Sequence, residues 1–250
     1  MSKMKKVVVI GGTGLIGSKA VKLLQDAGHE AVAASSRNGI NAYTGEGLAE
    51  ALTGADAVID VSNRVSFDKA VITDFFETSS RNLTRAEQAA GVGHHVVLSI
   101  VNTDRLSANA YMAGKLAQEE VVRSSDQAYT IVRATQFYEF METLVDAYAA
   151  DGTVSVPDID FQPIAAFDVA AALVKAALGE PKNGIVDLAG PDRAAFTSFA
   201  RTYLDAKGDD RPVRADAAID YFGAPVMAGS LVPEGAFIKG RITFSEWLRA

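Results

Sequence analysis

Three side chains in this sequence have the types and spacing for acid–base work on an oxygen atom. Tyr111 and Lys115 form Tyr-x-x-x-Lys, and Ser99 closes the apolar run His95–Ser99. On a helix, positions i and i+4 share a face, so the Lys115 ammonium can sit beside the Tyr111 phenol. Ser99 falls at the carboxyl end of an expected strand, the end that faces the ligand crevice of a parallel sheet. A phenol, an ammonium and a hydroxyl converging there suit carbonyl reduction. The oxygen gains negative charge as hydride arrives, Tyr111 donates its proton and Ser99 a hydrogen bond. A free phenol has a pKa of ~10, so Lys115 and an oxidised nicotinamide have to lower it. A drop of ~3 units corresponds to ~4 kcal/mol favouring phenolate. A tyrosine with a lysine one turn on is also a common helix surface, so the reading depends on a source of hydride.

That source is indicated near the N-terminus. The run Val7-Val8-Val9-Ile10 reads as a short buried strand, and Gly11-Gly12-Thr13-Gly14-Leu15-Ile16-Gly17 follows it directly. Gly11 permits the tight turn, Gly14 lets a pyrophosphate approach the backbone, and Gly17 lets the next helix pack closely on the strand. The helix start offers free N–H groups and partial positive charge to phosphates. Leu15, Ile16, Ala20, Leu23 and Leu24 recur near helical spacing, and Gly28 closes the helix. The strand, glycine turn and helix together indicate dinucleotide binding.

The elements that must hold these residues alternate. Strands are expected over Lys5–Ile10, Glu30–Ala34, Ala57–Val61, His95–Ser99 and Tyr129–Arg133. Helices are expected over Leu15–Ala27, Glu46–Leu52, Phe67–Ala90, Ala110–Ser124 and Phe137–Ala149. Such alternation predicts a parallel, doubly wound α/β sheet. A short strand is expected at Asn41–Thr44. Further on, Val154–Pro157 reads as a strand end, Asp168 as the cap of a helix Val169–Leu178, and Gly184–Ala189 as another strand. A helix is expected from Thr197 or Ser198 to about Ala206. The expectation is one domain over residues 1–250, with residues about 190–250 contributing a small substrate lobe. Trp247 is read as the anchor of the tail.

Composition narrows the chemistry. The 250 residues carry a net charge of −7, with no basic tail, which argues against nucleic acid as a partner. No apolar stretch reaches the ~18–20 residues that span a bilayer. Lys3, Lys5 and Lys6 precede an apolar run that enters the glycine turn at once, so it reads as a strand and not a signal peptide. The expected location is cytoplasmic. Cysteine is absent, which excludes disulfides, thiolate nucleophiles and cysteine-ligated metals. His94 and His95 would point to opposite faces of a strand, and with His29 they are read as structural; no metal site is expected.

The motifs resemble those of the atypical short-chain dehydrogenase/reductases, especially the NmrA-like, NAD(P)H-binding group. The resemblance rests on Gly11–Gly17, Asp60-Val61-Ser62-Asn63, Leu98-Ser99, Tyr111–Lys115, Arg133-Ala134-Thr135-Gln136-Phe137 and Phe167-Asp168-Val169-Ala170. It covers about residues 5–190. It implies a Rossmann-type fold, contact of Ser62 and Asn63 with the cofactor, and Thr135, Gln136 and Phe137 flanking the nicotinamide. Lys115 is also placed to hold the cofactor ribose, and the resemblance implies that helices Phe67–Ala90 and Ala110–Ser124 form the face of a homo-oligomer. The chain departs from many members in reading Tyr43-Thr44-Gly45 where they carry an aspartate near the adenine.

The end of the second strand reads Ala34-Ser35-Ser36-Arg37-Asn38, with two hydroxyls and a guanidinium and no acid. That suits a 2′-phosphate, so NADP(H) is expected over NAD(H). The leading expectation is an NADPH-dependent oxidoreductase acting on a small carbonyl, quinone or related acceptor. One alternative is an NADP(H)-binding redox sensor without turnover. A second is a nucleotide-sugar epimerase or dehydratase.

Overall fold

The computed structural model describes residues 4–66 and 68–250. Lys3, read with the N-terminal basic residues, and Phe67, the expected start of a helix, lie outside them. Strands β1 (Lys6–Ile10), β2 (Glu30–Ala34), β3 (Ala57–Asp60), β4 (His95–Ile100) and β5 (Tyr129–Ala134) alternate with helices. These are α1 (Leu15–Asp26), α2 (Leu48–Leu52), α3 (Lys69–Ala90) and α4 (Ala110–Ser124). Then come α5 (Met141–Ala147), β6 (Ala149–Ala150), β7 (Thr153–Pro157), β8 (Asp160–Phe161), α6 (Ala166–Leu178) and β9 (Gly184–Ala189). The chain ends with β10 (Ala194–Ala195), α7 (Phe196–Lys207), β11 (Val213–Asp216), β12 (Phe237–Lys239) and α8 (Phe244–Trp247).

Seven strands form one sheet in the order β12-β9-β5-β4-β3-β1-β2, and every pairing in it is parallel. This is the expected Rossmann-type fold. The order reverses at β1, which lies between β2 and β3, so a crevice opens at the carboxyl ends of β1 and β3. Side chains alternate across the sheet. Val7, Val9, Ile59, Val96 and Val132 pack under α1 and α6 with Leu24, Val169 and Leu173. Val8, Ile10 and Val58 pack with Leu48, Leu52 and Leu83 from α2 and α3. Val97 and Ile131 meet Val122 of α4.

The same alternation sends Ser99 and Arg133 to the α4 side, two residues beyond Val97 and Ile131. There both meet Glu119, which is buried. Arg133 donates from Nε to Oε1 at 2.9 Å and from Nη2 to Oε2 at 2.7 Å. Its Nη1 reaches the half-exposed Asp104 at 2.8 Å. His94 and His95 do face opposite ways. His94 Nε2 lies 2.9 Å from Thr130 Oγ1, and His95 Nδ1 lies 2.8 Å from the buried Glu87 of α3.

A separate hydrophobic cluster forms the lobe. Residues 190–250 contribute Phe196, Phe199, Tyr203, Leu231 and Phe244, but Met141, Leu144, Val156 and Phe161 belong to it equally. Two small sheets, β11-β7-β6 and β10-β8, complete it. Trp247 anchors the tail, its ring 5.7 Å from that of Tyr138 and 5.8 Å from that of Phe244. The last strand, β12, leaves the lobe and pairs with β9 in the main sheet.

Three expectations need correction. Asn41–Thr44 is a turn and not a strand, because the Asn41 side chain accepts from Tyr43 N at 3.0 Å and its carbonyl from Gly45 N at 2.8 Å. The expected helix Phe137–Ala149 divides into a 3-10 turn, Tyr138–Phe140, then α5 and the start of β6. Asp168 does not cap its helix, which begins at Ala166 with Glu139 accepting from Ala166 N at 3.0 Å. Asp168 Oδ2 instead accepts from Arg241 N at 2.7 Å and Ile242 N at 2.9 Å, tying the C-terminal segment to α6.

The Glu119–Arg133 pair is buried on the carboxylate side, so Glu119→Gln is expected to lower unfolding free energy by ~3 kcal/mol. Asp104→Asn, at the exposed end of the same guanidinium, is expected to cost less than ~1 kcal/mol. Urea unfolding of both variants checks this; equal losses would show that Glu119 contributes no more than a surface partner.

Candidate functional site

The glycine turn closes backbone onto backbone. Gly11 has φ +80°, and a Cβ there would lie 2.6 Å from the Val61 carbonyl oxygen, at the end of β3. A Cβ on Gly17 would lie 2.2 Å from the Gly11 carbonyl oxygen, so this glycine packs α1 against the turn itself. The close approach to a neighbouring strand belongs to Gly12, which sequence reasoning left without a role. Its Cβ would stand 2.7 Å from Ala33 Cα. Gly14 is the N-cap of α1, with no side chain covering the free N–H groups and no acid in the first turn. Gly11 N and Gly12 N both donate to Ala34 O, at 2.9 and 3.1 Å, which ties the turn to the end of β2.

A cavity of about 610 Å³ runs from this turn towards the lobe. Of the residues singled out from the sequence, Gly11, Gly14, Leu15, Ile16, Gly17, Ser62, Asn63, Ser99, Tyr111, Lys115, Thr135 and Phe137 line it. Thr13, Ser35, Ser36 and Arg37 do not. Ser35 follows Ala34 and uses its hydroxyl on Asn38 Oδ1 at 3.2 Å, within a 3-10 turn Ser36–Asn38. Ser36 and Arg37 are exposed on that turn, and among the described residues Arg37 has no ion-pair partner.

The three candidate catalytic residues line one cavity, but their polar atoms are engaged elsewhere. Tyr111 Oη donates to Asn63 Oδ1 at 2.9 Å, across the crevice from α4 to the loop after β3. Lys115 Nζ donates to Gln118 Oε1 and lies 4.6 Å from the centre of the Phe76 ring. Gln118 Nε2 donates in turn to Asp60 Oδ2 at 2.8 Å. Ser99 Oγ donates to Glu119 Oε1. Thr135 Oγ1 donates to Gln162 O at 2.7 Å, and Phe137 stacks on Phe140 with centroids 5.5 Å apart. Ser62 Oγ is buried with no partner among the described residues.

The electrostatics correct one expectation. Burial pushes the Lys115 ammonium down to about 8, against the pull of Asp60 and Glu119. Burial also pushes the Tyr111 phenol well above its usual value. Lys115 does not lower it here, because the ammonium is directed to Gln118. Ser99 likewise spends its only proton on a carboxylate, so its oxygen is left as an acceptor.

Sequence reasoning gave no role to Asp60, Phe76, Gln118 or Glu119. Glu119 had a signal, since it continues the four-residue spacing of Tyr111 and Lys115 along one helix face. Asp60 ends β3 beside the glycine turn, but nothing in its spacing pointed to Gln118. The ring of Phe76 comes from α3 and is placed by tertiary packing alone.

Comparisons with known proteins bear on the fold and the family. The chain is 30% identical over 173 residues to the photosystem II assembly factor Ycf39 of Synechocystis sp., covering 64% of this chain; it spans only about half of that factor's length, 50%. It is 28% identical over 250 residues to an NAD(P)H azoreductase of Xenophilus azovorans, covering 91% of this chain and 82% of that one. Among solved structures, an NADPH-dependent quinone oxidoreductase of Escherichia coli matches the fold with a TM-score of 0.69. It has 16% identity and the match covers 97% of this chain and 98% of that one. The family model described as NAD(P)H-binding matches residues 11–179. With its glycine turn at the switch point of a parallel sheet, the chain belongs to the NAD(P)H-binding family.

Proposed function

We propose that this protein is an NADPH-dependent oxidoreductase of the short-chain dehydrogenase/reductase type that reduces a small uncharged carbonyl, quinone or related acceptor. The observation that carries the reading is the lining of the cavity. Among the described residues Lys115 is its one charged residue, and that ammonium is already bonded to Gln118. Val65, Leu98, Ile100, Met112, Phe137, Phe140, Tyr221 and Phe222 are among the apolar residues that line the rest of it. A nucleotide sugar would need cations for its diphosphate, which disfavours the epimerase or dehydratase reading. The similarity to the NAD(P)H azoreductase points the same way.

The residues fit the cofactor. A Cβ at Gly11 or Gly17 would collide with backbone, no side chain covers the N–H groups at the start of α1, and the orphaned Ser62 hydroxyl lies on the adjoining wall. The turn and the start of α1 would hold the pyrophosphate, and Ser35, Ser36 and Arg37 the 2′-phosphate of NADP(H). Ser62 and Asn63 would lie along the cofactor, with Thr135 and Phe137 beside its nicotinamide and Lys115 on its ribose. When bound, NADPH supplies the hydride. Tyr111 then hands its Oη proton to the acceptor oxygen, which requires that the phenol leave Asn63. Stabilisation of the remaining phenolate by Lys115 requires that the ammonium turn from Gln118 to Tyr111. The apolar wall keeps water from the reacting oxygen.

One observation favours a second reading, a redox sensor that binds NADP(H) without turnover. The phenol is held by Asn63 and its pKa is raised, so Tyr111 is not primed for proton transfer in this arrangement.

Following the NADPH absorbance band with a panel of quinones and aldehydes separates the two. The expected result is turnover in the wild type and a kcat lower by about 100-fold or more in Tyr111→Phe. Undiminished turnover in the variant would remove Tyr111 from the acid role, and firm NADPH binding without turnover on any acceptor would establish the sensor. Arg37→Ala is expected to weaken NADPH binding by about tenfold or more, ~1.4 kcal/mol, and to leave NADH binding nearly unchanged. Equal losses for both cofactors, measured by calorimetry, would exclude a 2′-phosphate contact.

A further inference from the structure

The mouth of the cavity carries a residue that is wrong for its local backbone. Tyr221 and Ala224 form an antiparallel bridge, with Tyr221 N donating to Ala224 O at 2.8 Å and Ala224 N to Tyr221 O at 3.1 Å. Phe222 and Gly223 make the two-residue turn between them, with φ of +48° and +84°. A turn with both central residues at positive φ favours Asn-Gly, because the left-handed region is open to glycine and tolerable for asparagine. A phenylalanine there costs free energy, and such residues persist where the surroundings hold them and a function uses them.

The surroundings do hold this one. Asn109, the N-cap of the helix that bears Tyr111, accepts from Met112 N at 3.0 Å through Oδ1 and donates from Nδ2 to the Phe222 carbonyl at 3.1 Å. One buried amide therefore fixes the Tyr111 helix and the Phe222 tip relative to each other. Asn102, itself at φ +58°, donates to the carbonyls of Ser230 at 3.1 Å and Val232 at 2.9 Å, and fastens the segment that follows. Burial within the protein does not account for the ring. It meets Tyr221 and Tyr148 at 5.0 and 5.4 Å, yet Phe222 stays 42% exposed and lines the cavity that Tyr111 also lines.

We infer that Phe222 is a specificity-determining residue that offers an aromatic face to a planar, uncharged aromatic acceptor in this cavity. The inference rests on the reading of the cavity as the acceptor site. Flat rings gain from stacking or edge-to-face contact with a fixed aromatic side chain, whereas a compact aliphatic carbonyl compound gains little from it. The strained turn holds the ring in place before the acceptor arrives, so less ordering is needed on binding.

Titration calorimetry of the full chain loaded with NADP⁺ tests this, with 2-methyl-1,4-naphthoquinone as the probe. Phe222→Asn suits the left-handed turn and removes the ring; it is expected to weaken quinone binding by about tenfold while NADP⁺ affinity stays unchanged. Phe222→Tyr keeps the ring and is expected to bind like the wild type. Equal quinone affinity in Phe222→Asn, a parallel loss of NADP⁺ affinity, or no quinone binding to the wild type would each overturn the inference. Oxidation of NADPH by the same quinone is read separately. Ring-dependent binding without NADPH consumption would leave Phe222 in its role and remove the reductase reading. Turnover that is indifferent to Phe222→Asn in KM would do the reverse.

Discussion

Backbone lies directly against backbone where β1 turns into α1, and the rest of the site is arranged around that contact. A side chain on Gly17 would enter the Gly11 carbonyl, and one on Gly11 would enter the end of β3. Without those atoms the helix start, the turn and β3 draw together at the point where the strand order reverses. The crevice is therefore a consequence of connectivity and of missing side chains. The uncapped start of α1 borders it with free N–H groups, a surface that suits an anion such as a pyrophosphate.

Under one wall of the crevice, several charged groups are withdrawn from water together. Asp60, Lys115 and Glu119 are all buried. An unpaired buried charge is costly, so each finds a partner. Glu119 takes Arg133 and the Ser99 hydroxyl, and Gln118 links Lys115 to Asp60. This pairing explains why the polar tips in the cavity are not yet aimed at a common point. Ser99 donates into the Glu119–Arg133 cluster, whereas the Tyr111 hydroxyl has a neutral partner, Asn63. A neutral amide is easier to exchange for an acceptor oxygen than a carboxylate is.

The lobe completes the cavity by a different kind of contact. It has its own apolar cluster, and side-chain amides bind its last segments to the sheet domain through backbone carbonyls. The Asp168 carboxylate does the same from the α6 side by accepting two backbone N–H groups. Side-chain-to-backbone bonds of this sort constrain position and leave the side chains of Tyr221 and Phe222 free to face the cavity.

The fold was largely legible because its signals are local. Four β-branched residues, a glycine turn and helical periodicity announce β1 and α1, and repetition of that pattern implies a parallel sheet. The Tyr111–Lys115 spacing was legible for the same reason, since i and i+4 share a helix face wherever the helix packs. What the tertiary structure decided was direction and partnership. Whether Lys115 turns to Tyr111 or to Gln118 depends on Asp60, fifty-eight residues from Gln118 in the chain. The role of Asp168 depended on a segment more than seventy residues away. The turn at Phe222 has no local signal, because a phenylalanine at positive φ contradicts its own propensity and is held there by Asn109, 113 residues earlier. Local patterns determine which elements form; burial and long-range pairing of polar groups determine which atoms those elements present.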